Sequence, residues 1–345
     1  MALAHDASSP AAVTLLATST PGVETGTTAS FSPPAASLLT CRYIFQGNTT
    51  SALAVTTPTN TGTALTWNSA GTQAQGGGFS GYVAIYWAYN TNSQTGITVT
   101  GGCTSDGNSS TAGTQLGTML IDVWTGTTTS MSGAAFAGGT NTSSATIAAL
   151  HTTTVQNSQS IACAIEVNNT LALTSADTLE NAQDAGSQDS QACARKASTN
   201  GAPGPVSVGF TTSGGAFRWT WAVFELLPLQ PTISSQPTSQ YAHPGDSVTF
   251  SVTASSSGGS LTYQWYKNGS SVGGATSSSY TVTPNYPADY GALWYCAVTD
   301  NNGTLNSNSV AVLWLVQTKF GPVSIALLDA GDQDYKSTLT ILRWF

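Results

Sequence analysis

The chain carries very little charge. Only 7% of its 345 residues are charged, against about 25% in ordinary globular proteins. The eight Lys and Arg residues are scattered, with Arg195 and Lys196 as the one adjacent pair, and the formal net charge is −8. A nucleic-acid-binding surface needs clustered Lys and Arg to displace counterions, so we expect no nucleic acid partner. No apolar run approaches the ~18–20 residues that span a bilayer, so we expect no membrane insertion.

Cysteine is scarce and odd in number. The five residues are Cys41, Cys103, Cys163, Cys193 and Cys296, with no C-x-x-C motif and no Cys/His cluster. This spacing argues against a zinc site, and we expect neither a metal nor a cofactor. The expected state is buried free thiols. The sequence leaves undecided whether Cys41 or Cys103 forms a disulfide, because it does not assign the pairing among the first four cysteines.

A secretory signal is also missing from the sequence as written. Residues 1–10 have no basic region followed by an apolar region. Two interpretations remain. Either the real start lies elsewhere, or the protein is assembled in a host cytoplasm and released later, which is the route of phage virion proteins.

Aromatic residues and strand-like segments are abundant. Nine Trp, twelve Tyr and ten Phe provide core material, and short alternating segments separated by Gly, Ser, Asn and Thr predict one larger all-β domain over residues 1–228, a sandwich or jelly roll. Residues 82–89 are apolar on both faces and predict a central strand. Residues 175–189 predict a short helix or a long loop. The glycine pairs and triplets, such as Gly101-Gly102, predict turns.

A second β-domain follows at residues 229–316, after a proline-rich linker at residues 227–231. Pro244-Gly245-Asp246 leads into the alternating Val248–Val252. A strand with Trp265 precedes a tight Asn268-Gly269 turn, and Asp289-Tyr290-Gly291 leads into Trp294-Tyr295-Cys296. This pattern resembles bacterial and phage Ig-like domains of the I-set type, which implies a two-sheet sandwich.

The sequence departs from the usual pattern of that family in two ways. Val252 stands where the first Cys of the inter-sheet disulfide is usual, so we expect Val252, Trp265 and Cys296 to form an ordinary apolar core. Trp294 stands two residues before Cys296, where the family has the Tyr of its tyrosine corner. A domain without this disulfide does not depend on an oxidising compartment.

The N-terminal region has a resemblance of its own. Residues 30–39, Leu65-Thr66-Trp67 and the closing Trp219–Glu225 segment look like the β-sandwich domains of phage and bacterial surface proteins. The resemblance concerns structural residues and implies no chemistry.

Few residues could carry chemistry. His5, His151 and His243 lie far apart and predict surface or turn positions. The acidic stretch of Asp177, Glu180, Asp184 and Asp189 could supply paired carboxylates for glycoside hydrolysis, but a solvated loop is the preferred interpretation. A Ca²⁺ site at Asp329, Asp332 and Asp334 is likewise weighed against a polar turn. Candidate aromatics for stacking on sugars, against simple core packing, are Trp67, Tyr89, Trp124 and Tyr286. We expect no catalytic residue.

The last segment, residues 317–345, extends beyond the expected end of the Ig-like domain. We expect a β extension for docking or assembly with Trp344 and Phe345 as its anchors.

The function expected from these features is that of a non-enzymatic structural protein on a phage virion surface, associated with the tail or decorating the capsid. Its partners would be other virion proteins, a second copy of itself and cell-surface glycans. The alternatives are a bacterial surface or extracellular-filament adhesin, at the cell surface, and a secreted carbohydrate-active enzyme with an accessory Ig domain.

Overall fold

A computed structural model shows that the protein is all-β, with 28 strands and no helix among the described residues. It describes residues 3–16, 22–47, 54–74, 80–105, 116–167, 171–173, 177–184, 189–212, 217–257, 259–318 and 324–328. Within these ranges no helix could cross a membrane. The chain divides into two compact units, an N-terminal unit (Met1–Leu229) and a C-terminal unit (Gln230–Phe345).

The N-terminal unit contains seventeen strands. They are β1 (Ala4–His5), β2 (Val13–Leu16), β3 (Gly22–Thr27), β4 (Ser37–Gly47), β5 (Thr59–Asn60), β6 (Asn68–Ala74), β7 (Ser80–Asn90), β8 (Val99–Ser105), β9 (Leu116–Thr125), β10 (Phe136–Ser144), β11 (Thr146–Thr152), β12 (Gln159–Val167), β13 (Leu171–Leu173), β14 (Asp177–Asp184), β15 (Asp189–Lys196), β16 (Pro205–Thr212) and β17 (Phe217–Leu226).

The same strand order occurs twice in this unit. In the first half, β2-β9-β4-β7-β6 form a wide sheet, extended by β1 on β9, and β3-β8-β5 form a narrow sheet. In the second half, β10-β17-β12-β15-β14 form the wide sheet and β11-β16-β13 the narrow one. When strands are numbered in chain order from β2 in the first half and from β10 in the second, the wide sheet has the order 1-8-3-6-5 in both halves. The narrow sheet has the order 2-7-4 in both halves. These nested antiparallel pairs are those of a jelly roll. The region expected to form one sandwich therefore contains two.

Three buried layers hold the four sheets together. Tyr43 and Tyr86 belong to the layer between the first wide and first narrow sheets, and Phe210 to the layer between the second pair. The largest layer, with Ile85 and Ile165, lies between the two wide sheets. The two sandwiches thus pack back to back. Because β4 and β7 are buried on both faces, they read as continuous apolar runs, and the prediction of a central strand at residues 82–89 is confirmed.

Two local predictions were wrong. Residues 175–189 form neither a helix nor a long loop where they are described, because Asp177–Asp184 is a strand that pairs with β15. Gly101-Gly102 lies inside β8 rather than in a turn. A Cβ at Gly101 would meet the Tyr43 hydroxyl oxygen at 1.8 Å, so the glycine makes room for that buried ring.

Part of the expected linker belongs to the N-terminal unit. Leu227 is buried in the layer between the wide sheets. The Leu229 amide donates to the Gly126 carbonyl at 2.7 Å, and Pro228 forms a bridge with Thr127. These contacts fix residues 227–229 on the domain that precedes them.

The C-terminal unit is a two-layer β-sandwich around one buried cluster. Its strands are β18 (Thr232–Ser235), β19 (Gln240–Ala242), β20 (Val248–Ser251), β21 (Thr253–Ser255), β22 (Thr262–Lys267), β23 (Ser270–Ser271), β24 (Ser279–Val282), β25 (Leu293–Asp300), β26 (Gly303–Asn306), β27 (Val310–Thr318) and β28 (Ser324–Leu328). One sheet has the order β19-β27-β25-β22-β23, with β26 on β25 and β28 on β27. The pairs β18-β21 and β20-β24 form the opposing layer.

Candidate functional site

A cluster of charged side chains lies between the two wide sheets of the N-terminal unit. His5 on β1, Arg42 on β4 and Asp122 on β9 come from the first sandwich. Glu180 on β14 and Arg195 on β15 come from the second. We call these five residues the inter-sheet charge cluster. Buried charges are rare unless they are paired, so this cluster is a candidate functional site.

Arg42 is the centre of the cluster, and its side chain is fully buried. Its Nη2 donates to Oδ2 of Asp122 and to Oε2 of Glu180, and its Nε donates to Oδ2 of Asp122 at 3.1 Å. Its Nη1 donates to the carbonyls of Ala194 at 3.2 Å and Ala162 at 3.4 Å. One guanidinium therefore joins a carboxylate of the first sandwich to a carboxylate and two backbone carbonyls of the second.

The remaining members of the cluster border a surface cavity of about 320 Å³. Nη1 of Arg195 donates to Oε1 of Glu180 at 2.6 Å. Nε2 of His5 lies 3.2 Å from Oδ1 of Asp122 and 4.0 Å from Oε1 of Glu180. The Ser9 hydroxyl lies 3.2 Å from the same His5 nitrogen. Apart from His5, two guanidinium groups balance two carboxylates.

The electrostatics of Asp122 follow from these contacts. Burial alone would raise the pKa of the Asp122 carboxyl, but the Arg42 guanidinium and the hydrogen bond from His5 outweigh burial. The pKa is therefore lowered below its ordinary value of 3.8. Asp122 stays ionised at neutral pH, so it cannot serve as the protonated acid that glycoside hydrolysis needs.

The cluster also has the residue types of a metal site. One ligand atom each of His5, Asp122 and Glu180 lies within 4.8 Å of the others. A divalent cation is attracted by uncompensated carboxylates, but here Arg42 and Arg195 already donate to both carboxylates. The donor set is thus satisfied by guanidinium groups and fits a structural ion network better than a metal centre.

Two residues of the acidic stretch, Asp177 and Glu180, do not lie in a solvated loop as expected. Glu180 is largely buried in the cluster, and the Asp177 side chain is 1% exposed and pairs with Lys196 Nζ at 2.9 Å. The side chains of Asp184 and Asp189 lie outside the described residues. Arg42 was missed altogether. Its signal was a single arginine within the apolar run of residues 38–45, since a lone charge on a strand buried on both faces needs a buried partner.

The histidines occupy three different environments. His243 lies in an exposed turn beside Asp246, as expected. His151 does not lie at the surface: it is buried, and its Nε2 is 2.7 Å from the Ser160 hydroxyl. Burial lowers the pKa of His151 below its ordinary value of 6.5. Ser160 is fully buried as well, so both members of this pair are shielded from solvent.

A disulfide joins Cys163 and Cys193, neighbours across β12 and β15. The expectation of free thiols was wrong for these two residues, because their strands pair in register and bring their side chains to the same face. Cys41, Cys103 and Cys296 are buried thiols. Burial raises the pKa of Cys296 to about 11, which makes it a poor nucleophile.

The predicted core of the Ig-like domain lies in one buried cluster that contains Val252, Trp265 and Cys296. Phe250 lies 6.2 Å from Trp265 between ring centroids, and Nε1 of Trp265 donates to the Ser277 carbonyl at 2.9 Å. Val252, Trp265 and Cys296 therefore contribute to the packing of the core.

The proposed anchors and the proposed Ca²⁺ ligands are not described. Trp344, Phe345, Asp329, Asp332 and Asp334 lie outside the described residues. Within residues 317–345, the segment Ser324–Leu328 is described, and it pairs with β27 of the Ig-like domain.

The four aromatic candidates for sugar stacking lie in different environments. Trp124 is buried between the wide sheets. Trp67 packs against the core of the first sandwich. Tyr286 packs against Trp314, with ring centroids 5.2 Å apart. Tyr89 lines a surface pocket.

Comparisons with known proteins agree with the C-terminal fold. A family model described as "Immunoglobulin domain" matches residues 230–312. Residues 230–312 are therefore an Ig-like domain, within a chain whose described residues are all-β. Among curated proteins, nothing matches the chain.

Solved structures that match include tandem Ig arrays. One is described as tandem Ig repeats of Dlar, with 13% identity, a TM-score of 0.23 and coverage of 52% of this chain and 98% of that one. The Ig1-2 module of the Drosophila receptor protein tyrosine phosphatase DLAR has 12% identity, a TM-score of 0.23 and coverage of 52% and 99%. The I9-I11 tandem from titin has 11% identity, a TM-score of 0.20 and coverage of 86% and 94%.

Proposed function

We propose that the protein is a non-enzymatic structural protein of a bacteriophage virion surface, associated with the tail or decorating the capsid. It uses its Ig-like domain for assembly and for weak adhesion to the host surface. Its partners are other virion proteins, further copies of itself and cell-surface glycans. It is assembled in the host cytoplasm and ends on the particle.

The inter-sheet charge cluster is the observation that carries this proposal. Its two carboxylates are held by Arg42 and Arg195, so this set of titratable groups joins two sandwiches instead of awaiting a substrate. Ion networks of this kind specify how parts fit together, which is a structural role.

The repeated architecture supports the same proposal. Two jelly-roll sandwiches and an Ig-like sandwich stand in one chain of low charge. In sandwich domains the sheets form a rigid scaffold, and the variable loops at the surface carry the binding residues. Fold alone does not define function, so the placement on a virion is the part that experiment must decide.

The disulfide favours a second candidate, a bacterial surface or extracellular-filament adhesin. Disulfides form and persist in oxidising compartments, and the bond between Cys163 and Cys193 is buried in the second sandwich. An exported adhesin acquires such a bond during secretion. A virion protein acquires it after lysis exposes the particle to air.

Co-sedimentation tests the proposal against this alternative. Phage particles from the native producer are banded in a density gradient, and each fraction is probed with antibody against the Ig-like domain. We expect the protein in the particle band at a fixed ratio to the capsid protein. Its recovery with cell envelopes or free filaments instead would contradict the virion proposal and support the adhesin.

An activity screen tests the remaining alternative of a secreted carbohydrate-active enzyme. We expect no turnover of common polysaccharides by the full chain. Turnover that is abolished by Glu180→Gln or Asp122→Asn, in variants that remain folded, would show that the cluster is catalytic and would overturn its structural role.

A further inference from the structure

A second cavity, separate from the charge cluster, opens on the first sandwich and encloses about 270 Å³. Residues 63–66, before β6, form one wall. The end of β7 and residues 91–94 form the floor and the other wall, and residues 129–130 close one side. We call it the amide pocket, after the side chains that line it.

The chemistry of the amide pocket is specific. Its lining residues include the aromatic side chains of Trp87 and Tyr89 and four side-chain amides, and every lining residue is uncharged. The amides belong to Asn68, Asn90, Asn92 and Gln94. Trp87 and Tyr89 lie two positions apart on β7 and therefore on the same face of the strand, and both are half-buried. Their rings offer apolar surface beside groups that both donate and accept hydrogen bonds.

The buried floor of the pocket is fixed by its own hydrogen bonds. Asn90 is buried and donates to the Pro34 carbonyl at 2.8 Å. Gln94 is buried and donates to Oδ1 of Asn90 at 3.0 Å, and its Oε1 accepts from the Thr63 amide at 2.8 Å. These bonds connect the floor to the wall at residues 63–66.

That wall is held from its other side by Asn60. The Asn60 side chain donates to the Thr63 carbonyl at 2.9 Å and accepts from the Leu65 amide at 3.0 Å. The pocket is therefore formed before any ligand arrives, which lowers the entropy that binding must overcome.

Two amides at the rim remain able to meet a ligand. Asn68 donates to the Thr66 carbonyl at 3.1 Å, and Asn92 donates to the Thr91 hydroxyl at 3.4 Å. Each bond uses one N–H, so an amide has a second N–H and an oxygen for a partner. Asn92 is exposed and Asn68 is half-buried, so both can be replaced without opening the core.

We propose that the amide pocket binds a neutral oligosaccharide. A sugar ring has an apolar C–H face that packs on an aromatic ring and a rim of hydroxyls that pair with amides. A phosphate, sulfate, carboxylate or ammonium group would lose water here without meeting an opposite charge. The inference rests on the proposed adhesive function, to which it adds a glycan site on the first sandwich, beside the adhesive role of the Ig-like domain, and the class of ligand.

The pocket is tested with the full chain on an array of neutral oligosaccharides that also carries sialylated and sulfated ones. The best neutral ligand is then titrated by calorimetry against the wild type and an Asn68→Ala/Asn92→Ala variant. Because a net hydrogen bond contributes about 1 kcal/mol, losing two should weaken binding by about 10- to 30-fold. Thr72→Ala, at an exposed position on β6 outside the pocket lining, is the control and should bind as the wild type does.

Three results would overturn the proposal: no binding of any neutral oligosaccharide at millimolar concentration, binding of the charged glycans alone, or unchanged affinity in the double variant. Trp87→Ala serves as a second probe only if its unfolding transition matches that of the wild type, since Trp87 also packs against the core. The gradient experiment is independent of these readouts, so the pocket can fail while the virion proposal stands.

Discussion

Replacing Arg42 by Met is the sharpest perturbation of the inter-sheet charge cluster. Met has a similar length and no charge, so it fills much of the buried volume while it removes every bond from the guanidinium. Those bonds reach Asp122, Glu180 and the carbonyls of Ala162 and Ala194. In the variant, the carboxylates of Asp122 and Glu180 stay largely buried but lose the positive charge of the Arg42 guanidinium beside them.

The expected loss is large relative to the stability of the unit. Removing one partner from a buried ion pair costs about 3–5 kcal/mol, because the other charge stays buried without its partner. A domain is stable by only about 5–15 kcal/mol, so Arg42→Met should remove a large share of the stability of the N-terminal unit.

The stability difference between Arg42→Met and the wild type should change with pH in a definite direction. In the wild type, Asp122 has a pKa lowered below 3.8, so its contribution is present above the unfolded pKa and is lost as the pH falls through the folded pKa. Without Arg42, burial raises the pKa of Asp122, and protonation relieves the buried charge. The stability gap between variant and wild type should therefore narrow as the pH falls from 7 towards 4.

The assay is urea unfolding of the full chain, with the transitions of the two units followed separately. Arg218→Met is the control, since Arg218 is exposed on β17 and its loss should stay within about 0.5 kcal/mol. If Arg42→Met does not fold, the variant Arg42→Met/Asp122→Leu/Glu180→Leu should recover folding by removing the unpaired charges. A cost below about 1 kcal/mol for Arg42→Met at pH 7, or a gap that widens in acid, would refute the reasoning.

Three further predictions concern the other buried groups. Replacing Cys163 and Cys193 by Ala should lower the stability of the N-terminal unit by about 3–4 kcal/mol, since the bond joins residues 30 positions apart; in calorimetry the Ig-like transition should not move, and equal shifts of both transitions would contradict this. Trp265→Ala should destabilise the Ig-like domain by about 3–5 kcal/mol in urea, and reducing agent should leave this domain unchanged because Cys296 is not in a disulfide; a large effect of reductant would show that the core is misassigned. Burial lowers the pKa of His151 below 6.5, so the stability contributed by its neutral form is present above pH 6.5 and is lost as the pH falls below it; His151→Asn should flatten this part of the stability profile, and an unchanged profile would count against it.

Much of the fold was predictable because local patterns determine it. Residues 82–89 form a continuous apolar run, and the strand observed there, β7, lies between β4 and β6 in the wide sheet. The pattern around Trp265 and Cys296 predicted the Ig-like domain that the family model matches. Both cases depend on side-chain patterns within single strands, which the sequence shows directly.

The features that were missed depend on pairing between distant strands. Glu180 looked like a loop residue, and its buried partner Arg42 lies 138 positions away. Cys163 and Cys193 meet only because β12 and β15 pair in that register. The repeat of two sandwiches lies in the order of hydrogen-bonded strands, and strand order is a property of long-range contacts rather than of local alternation.

The proposed position of this protein on the surface of a virion can be tested by electron microscopy. Purified phage particles are labelled with gold-conjugated antibody against the Ig-like domain. We expect gold at regular positions on the capsid or the tail of intact particles. Unlabelled particles, with gold on cell envelopes or filaments from the same culture, would contradict it.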